Sequence, residues 1–245
     1  PAMKSALAAR YAHSVTVCPS HDDTLVVIGG PSAESDKNDG VAAHASNAAQ
    51  WRAHACGGDA FEARAGHSAT LVGSRHIYVF CGSSRSVKRD LLVLDTASWH
   101  WRAVRRASHQ QHSRHRHGYD APSGRLGHVA VFDAKRRCLL VHGGSDGARR
   151  FKDVHAFDVE RHAWTQLHVK GALPHMARSE HSAVLLGSKM ICFGGATAPG
   201  CYVADLANDV FVYDIDASRC SMLQVRGKPP PARRAPTRAR AAPRP

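Results

Sequence analysis

RLGHVAVFDAKRRCLLVHGGSDGARRFKDVHAFDVERHAW, the stretch from Arg125 to Trp164, holds four phrases in a fixed order. Arg125-Leu-Gly-His128 opens it. An apolar run then ends in a glycine pair, Leu140-Val-His-Gly143-Gly144. A second run is bracketed by aspartates, Asp153-Val-His-Ala-Phe-Asp158, and Trp164 stands six residues beyond the closing one. Each run has the length and the β-branched or aromatic content of a strand. Glycines closing a strand permit a positive φ and close approach of a neighbour. Aspartates suit strand ends, where their oxygens take up free backbone N–H groups.

The same order recurs along the chain. The opening phrase returns as Arg10-Tyr-Ala-His13, Arg64-Ala-Gly-His67 and Arg178-Ser-Glu-His181, so that successive arginines lie 54, 61 and 53 residues apart. The glycine pair returns as Gly29-Gly30 and Gly194-Gly195, and as Cys81-Gly82 with cysteine in the first place. The bracketed strand returns as Asp90–Asp95 and Asp209–Asp214, followed by Trp101 and, in the last copy, Cys220. The first copy is degraded: Asp39-Gly40-Val41 starts its third strand and Trp51 takes the tryptophan place, so its outer strands are expected to be short or frayed. Stepping on from Arg178 lands on Arg233, within Pro-Pro-Pro-Ala-Arg, which reads as a fifth copy that begins and stops. Internal repetition at this period means one four-stranded sheet per copy. A lone sheet cannot cover both faces, so the copies must stack.

This grammar resembles the kelch repeat, in which a double glycine is followed by an aromatic residue and, six intervening residues later, a tryptophan. Phe157 with Trp164 fits, as does Tyr213 with Cys220 in the tryptophan place; Leu94 with Trp101 carries leucine for the aromatic. The longer copies, such as Pro174 to Ser182, are similar to those of Rab-effector-type and host-cell-factor-type kelch proteins. The galactose oxidase central domain shares the scaffold. The resemblance implies an all-β, kelch-type β-propeller with four recognisable blades at about 10–55, 64–104, 125–169 and 178–225. Family members usually close with five to seven blades, so either a four-bladed ring closes here or the chain is an incomplete, open ring. Pro1 in place of a start methionine and the interrupted phrase at Arg233 favour the second. The expected organisation is a propeller over residues 1–225, a basic, histidine-rich insert at 102–124, and a Pro/Arg-rich disordered tail at 226–245.

The net charge of +13 raises the question of nucleic acid, and its distribution answers it. Residues 226–245 carry +7 and residues 102–124 carry +4, which leaves only +2 for the rest. No stacking aromatics interleave the tail, so sequence-specific reading of nucleic acid is not expected, only weak contact with anionic partners. No apolar run approaches the eighteen or so residues of a membrane-spanning helix. Seven cysteines, with no CxxC pair, fit reduced thiols buried as small hydrophobes and an intracellular, cytoplasmic location.

Each candidate chemistry has a structural alternative. The phased histidines suggest either a central metal site or, in preference, structural residues at the start of each inner strand. The phased arginines suit either an acidic partner or, in preference, backbone carbonyls or an aspartate of a neighbouring blade. His109, His112, His115 and His117 form a dense tract of a kind that can take up metal ions, but Arg114 and Arg116 oppose a cation there, and a polar loop is the better reading. The resemblance implies no catalytic set. The cross-linked Cys–Tyr copper site of galactose oxidase has no counterpart, and the Glu-x3-Asp-x3-His motif of specifier proteins fails at Glu34, which is followed at that spacing by Asn38. No cofactor, metal ligand or catalytic residue is therefore assigned.

The expected function is a protein-interaction module (adaptor, scaffold or targeting domain). In a meander of strands a, b, c and d, the b–c loops and the d–a connections emerge on one face. Candidate binding residues there are Arg85, Lys88, Arg89, Arg105, Arg106, Arg114, Arg116, Asp146, Arg149, Arg150 and Tyr202. Structural repeat residues are Arg64, His67, Arg125, His128, Arg178, His181, Gly143, Gly144, Gly194, Gly195, Trp101 and Trp164. The alternative is a propeller segment of a larger enzyme, such as a kelch-bearing phosphatase or an oxidase.

Overall fold

A computed structural model describes residues 10–19, 23–31, 40–43, 51–105, 121–171, 176–197, 205–228 and 230–233. The chain divides into two compact units, Pro1–Arg105 and Arg106–Pro245, each holding two sheets. No α-helix occurs among the described residues, and none is long and apolar enough to cross a membrane.

In the first unit, β1 (Ser14–Cys18), β2 (Thr24–Ile28), β3 (Gly40–Ala43) and β4 (Trp51–His54) form one antiparallel meander. A two-residue strand, β5 (Gly57–Gly58), precedes β6 (Ser68–Val72), β7 (His76–Phe80), β8 (Leu91–Asp95) and β9 (His100–Ala103). The second unit repeats the plan. One sheet is β10 (Val129–Asp133), β11 (Cys138–His142), β12 (Val154–Asp158) and β13 (Ala163–Leu167). The other is β14 (Ser182–Leu186), β15 (Lys189–Phe193), β16 (Val210–Asp214) and β17 (Arg219–Met222).

The strand register explains the spacing read from the sequence. Leu94 pairs with Trp101, Phe157 with Trp164 and Tyr213 with Cys220, each across the c–d hairpin. Ala43 pairs with Trp51 in the same place, so the degraded first copy keeps the plan in two four-residue outer strands. Burial of the tryptophans differs: Trp101 is buried and stacks on Phe61 at 4.3 Å between centroids, whereas Trp164 is only half-buried beside Phe157.

The b strands β2, β7 and β11 are buried on both faces, with every residue of β11 buried, whereas β15 alternates. The reason is stacking: β1 lies against β6 in the first unit, and β10 against β14 in the second. Each pair of sheets encloses its own core. Val26, Ile28, Ile77, Val79 and Leu94 fill the first, and Leu140, Met190, Cys192, Phe211 and Tyr213 the second. Burying side chains of this size contributes about 1.5–3 kcal/mol each.

One addition was not legible in the sequence. The connection from the first sheet to the second runs parallel along the outer edge of β9, with Gly57 opposite His100 and Gly58 opposite Trp101. It thereby adds a fifth strand to an expected four-stranded sheet. The second unit does the same in one bridge, Lys170 beside Arg219.

Candidate binding face

The phased arginines build the frame on which the loops sit. Arg64 forks onto Asp90 with bonds of 2.6 and 2.8 Å, Arg125 onto Asp153 at 2.7 and 2.9 Å, and Arg178 onto Asp209 at 2.7 and 2.9 Å. The same guanidinium donates to the carbonyl at the first glycine position: Cys81, Gly143 and Gly194 respectively. Phe61, Phe151 and Phe211 lie under the three guanidinium groups. Buried and forked onto their aspartates, these side chains are not available to a partner.

These contacts correct one expectation. Each arginine side chain holds an aspartate and a carbonyl of its own sheet, not of a neighbouring one. The main chain makes the crossing instead. Gly30 N–H donates to the Arg64 carbonyl at 2.9 Å, and Gly144 N–H to that of Arg178 at 2.8 Å. The glycine pair makes the approach possible. A Cβ on Gly143 would stand 2.6 Å from the Arg178 carbonyl oxygen and 2.8 Å from the His181 ring; one on Gly144 would meet the His128 Cβ at 2.9 Å. Both have positive φ, 67° and 94°.

The phased histidines serve the same joint. His67 in the second sheet reaches back to the Ser14 hydroxyl of the first at 2.8 Å. His181 reaches back to the His142 ring at 3.0 Å.

The loops fold over this frame by a common rule. Lys88, Phe151 and Ala207 each donate a backbone N–H to the second glycine of their sheet, Gly82, Gly144 and Gly195. Ser83, Ser145 and Ala196 bridge to Ala65, Leu126 and Ser179 of the opening phrase. Within each sheet the b–c loop therefore lies beside the d–a connection, as the meander requires.

In the first unit these segments enclose a cleft of about 890 Å³. Tyr11, Pro31, Ala63, Ser84, Arg85 and Lys88 are among its lining residues. Tyr11 is 71% exposed and offers a ring face to solvent. Lys88 is ion-paired with Glu62. Arg85 is exposed in the cleft, and Arg89 is exposed at the end of the same loop. Arg105 is exposed just past Val104, whose N–H donates to Leu91, so it too belongs to this edge.

In the second unit Asp146 accepts the N–H groups of Ala148 and Arg149 and pairs with the Arg149 side chain, which shapes its own loop. Burial opposes ionisation of Asp146, but these bonds hold its carboxyl below the usual range. Arg150 donates to the Ser179 hydroxyl at 3.1 Å and helps join the two sheets. Only Arg149, 70% exposed, faces outward.

Arg106, Arg114, Arg116 and Tyr202, together with the histidine tract, lie outside the described residues. Arg102 and Ala103, at the start of the insert expected at 102–124, lie in β9. Tyr11 and Pro31 carry no signal in the sequence, since Tyr11 fills a position of the opening phrase held by Ala65, Leu126 and Ser179 in the other copies, and Pro31 one held by Ser83, Ser145 and Ala196.

One further grouping has only a faint signal in the sequence. His142, His181 and Cys192, all buried, bring one donor atom each to within 4.8 Å of one another. The available signal was the identity of His142, which stands where the other sheets carry Ile28, Phe80 and Phe193.

Comparison with known proteins agrees with this architecture. Residues 1–119 and again 118–241 match the KLHDC2/KLHL20/DRC7 Kelch-repeats domain. The chain is similar to the dynein alpha chain of the flagellar outer arm of Chlamydomonas reinhardtii, 32% identical over 159 residues, which is 61% of this chain and 3% of that one. It is similar to acyl-CoA-binding domain-containing protein 5 of Arabidopsis thaliana, 27% identical over 188 residues, 74% of this chain and 27% of that one. The Rab9 effector protein with kelch motifs of Bos taurus is 29% identical over 119 residues, 46% of this chain and 31% of that one. The aligned segments thus span less than a third of each of these relatives. Four phased copies of the opening phrase and a profile matched twice over the chain lead to one conclusion: it belongs to the kelch-repeat family.

Proposed function

We propose that this chain is a non-catalytic interaction module that binds an acidic segment of a partner protein through the loop face of its first unit. The observation that carries this reading is the cleft between the first two sheets. It combines an exposed tyrosine ring and a proline with Arg85, which has no ion-pair partner among the described residues. Rigid sheets presenting variable loops suit partner recognition, and tyrosine and arginine are the side chains that most often anchor such contacts. Arg89 and Arg105 extend the positive edge.

An intracellular adaptor, scaffold or targeting role is the form of the function that fits the family. The small share of each relative that the chain spans supports a module carried on longer proteins. A propeller segment of a larger enzyme, such as a phosphatase or an oxidase, is the competing reading on that same observation, and a catalytic domain encoded on the same transcript would favour it.

The test is selection from a displayed random-peptide library, followed by fluorescence anisotropy with the selected peptides. The expected winners carry clustered aspartate or glutamate, and Arg85→Glu weakens them by tenfold or more, about 1.4 kcal/mol. Tyr11→Ser weakens them as well. Selected peptides without acidic residues, or equal binding by Arg85→Glu, overturn the reading. Removal of residues 106–120, which spares β9, reports whether the insert contributes.

A further inference from the structure

His142 closes β11, His181 immediately precedes the strand β14 of the next sheet, and Cys192 lies on β15 of that sheet. All three belong to the second unit and lie in its interior. His142 and Cys192 are completely buried, and His181 is 5% exposed. The hydrogen bond between the two rings uses Nδ1 of His142 and Nε2 of His181. The other ring nitrogen of His142, Nε2, is buried with no hydrogen-bond partner among the described residues. An orphaned ring nitrogen at this depth is a cost that a coordinated ion relieves.

The other sheets give the baseline. At the position of His142 they carry Ile28, Phe80 and Phe193, and at that of Cys192 they carry Val27, Val79 and Val141. Packing at these positions is therefore met by apolar side chains. In the first unit the phased histidine reaches back to a serine hydroxyl, Ser14, rather than to a second imidazole. The donor set thus exceeds what the joint between sheets requires.

We propose that His142, His181 and Cys192 form a buried site for a single soft, monovalent metal ion, Cu(I). Two imidazoles and a thiolate are donors that soft first-row ions accept. The choice of ion follows from charge and coordination number. Cu(I) with one thiolate is neutral, whereas Zn(II) with the same set leaves +1 to be buried in an interior where Arg178 opposes the charge and Asp153 favours it. Structural zinc also takes four protein ligands, and the cluster offers three among the described residues.

Protonation states agree with the geometry. Burial, then the charge of Arg178, depress His142 to about 3, against the opposing pull of Asp153, so its imidazole is neutral and able to coordinate. Burial pushes the Cys192 thiol up, so loading exchanges the thiol proton for the ion and releases one proton to solvent.

The experiment is anaerobic titration of the purified chain with Cu(I) held by a chromophoric chelator. The background carries His109, His112, His115 and His117 all changed to Gln, which removes the competing tract. Expected are one equivalent of tightly bound Cu(I), thiolate-to-copper absorption in the near ultraviolet and release of one proton. His142→Phe and Cys192→Val each lower the affinity by at least about 100-fold, since even outer partners of metal ligands are worth 10–100-fold. Both variants introduce residues that other sheets already use at these positions, and circular dichroism checks their folding. If one variant fails to fold, the other decides. Copper uptake unchanged in the folded variants overturns the proposal, as does the absence of a one-equivalent site. Preferential one-equivalent binding of Zn(II) at this cluster overturns the choice of ion.

Discussion

The backbone N–H of Gly195 donates to the carbonyl of Arg233 at 3.1 Å, the bond that Gly30 makes to Arg64 and Gly144 to Arg178. Arg233 also turns its Nε onto the carbonyl two residues back, Pro231, as Arg64 does onto Glu62 and Arg125 onto Ser123. Arg233 thus occupies on the fourth sheet the place that a following copy's arginine occupies elsewhere. A chain ended at Lys228 should lose this bond. By amide hydrogen exchange, Gly195 is then expected to lose protection while Gly144, inside the unit, keeps it.

Asp153→Asn should be strongly destabilising, because it leaves the buried guanidinium of Arg125 without its counter-charge. Losing one partner of a buried pair costs about 3–5 kcal/mol, to be read from urea denaturation by circular dichroism. The variant Asp158→Asn, whose partner Arg161 is 83% exposed, is expected to cost less than about 1 kcal/mol.

The same carboxylate should shape the acid response. Burial works to raise the Asp153 carboxyl, but the Arg125 fork and the His155 ring outweigh it and hold it below the usual carboxylate range. Its folded value lies below its unfolded value, so its contribution is present above about pH 4 and is lost as pH falls toward the folded value. Between about pH 5 and pH 2, thermal midpoints of the native chain should fall more steeply than those of Asp153→Asn. Parallel curves would show that the fork contributes no linkage.

Gly143→Ala tests the joint between sheets. The added methyl would meet the Arg178 carbonyl at 2.6 Å and the His181 ring at 2.8 Å, on a backbone at φ 67°. Gly187→Ala has a similar φ of 59° and nothing within 4 Å. The second change should cost about 1–2 kcal/mol for the left-handed backbone alone. The first should cost clearly more, and the difference between their unfolding free energies isolates the crossing contact.

Thiol reactivity should follow burial. Cys18, Cys138 and Cys220 are buried and pushed up to about 11, mainly by loss of solvent. Cys56 is the one described cysteine that is not fully buried. Maleimide labelling with peptide mapping at neutral pH should modify Cys56 well before these three.

How much of this was legible depended on whether a feature repeats. The strands, their order and the c–d register could be read because phrases such as Gly143-Gly144 and Asp153–Asp158 recur at matching offsets, and recurrence separates signal from local composition. Even the interrupted phrase at Arg233 could be placed by spacing alone. The direction of the arginine contacts could not be read, because one period separates an aspartate in the same sheet from its copy in the next. Spacing cannot say which of the two the guanidinium meets. The β5 edge strand lies on a connection without a period, and the cleft residues Tyr11 and Pro31 fill phased positions whose residue type varies from copy to copy. His142 is hidden for the opposite reason: it sits inside a strongly periodic phrase, where the apolar run around it masks a single polar residue.

The division of labour at Arg64 and Arg178 bears on how such a chain can be edited. The side chain is bound within its own sheet, while the arginine's bond to the preceding sheet uses only an amide and a carbonyl, atoms that nearly every residue supplies. A copied or excised unit therefore brings its internal fork intact and presents a standard plug to whatever precedes it. Neighbours need to keep their small socket at the glycine pair and a polar partner for the phased histidine. Units joined in this way behave as interchangeable cassettes, free to diverge in their loops while remaining compatible at their seams.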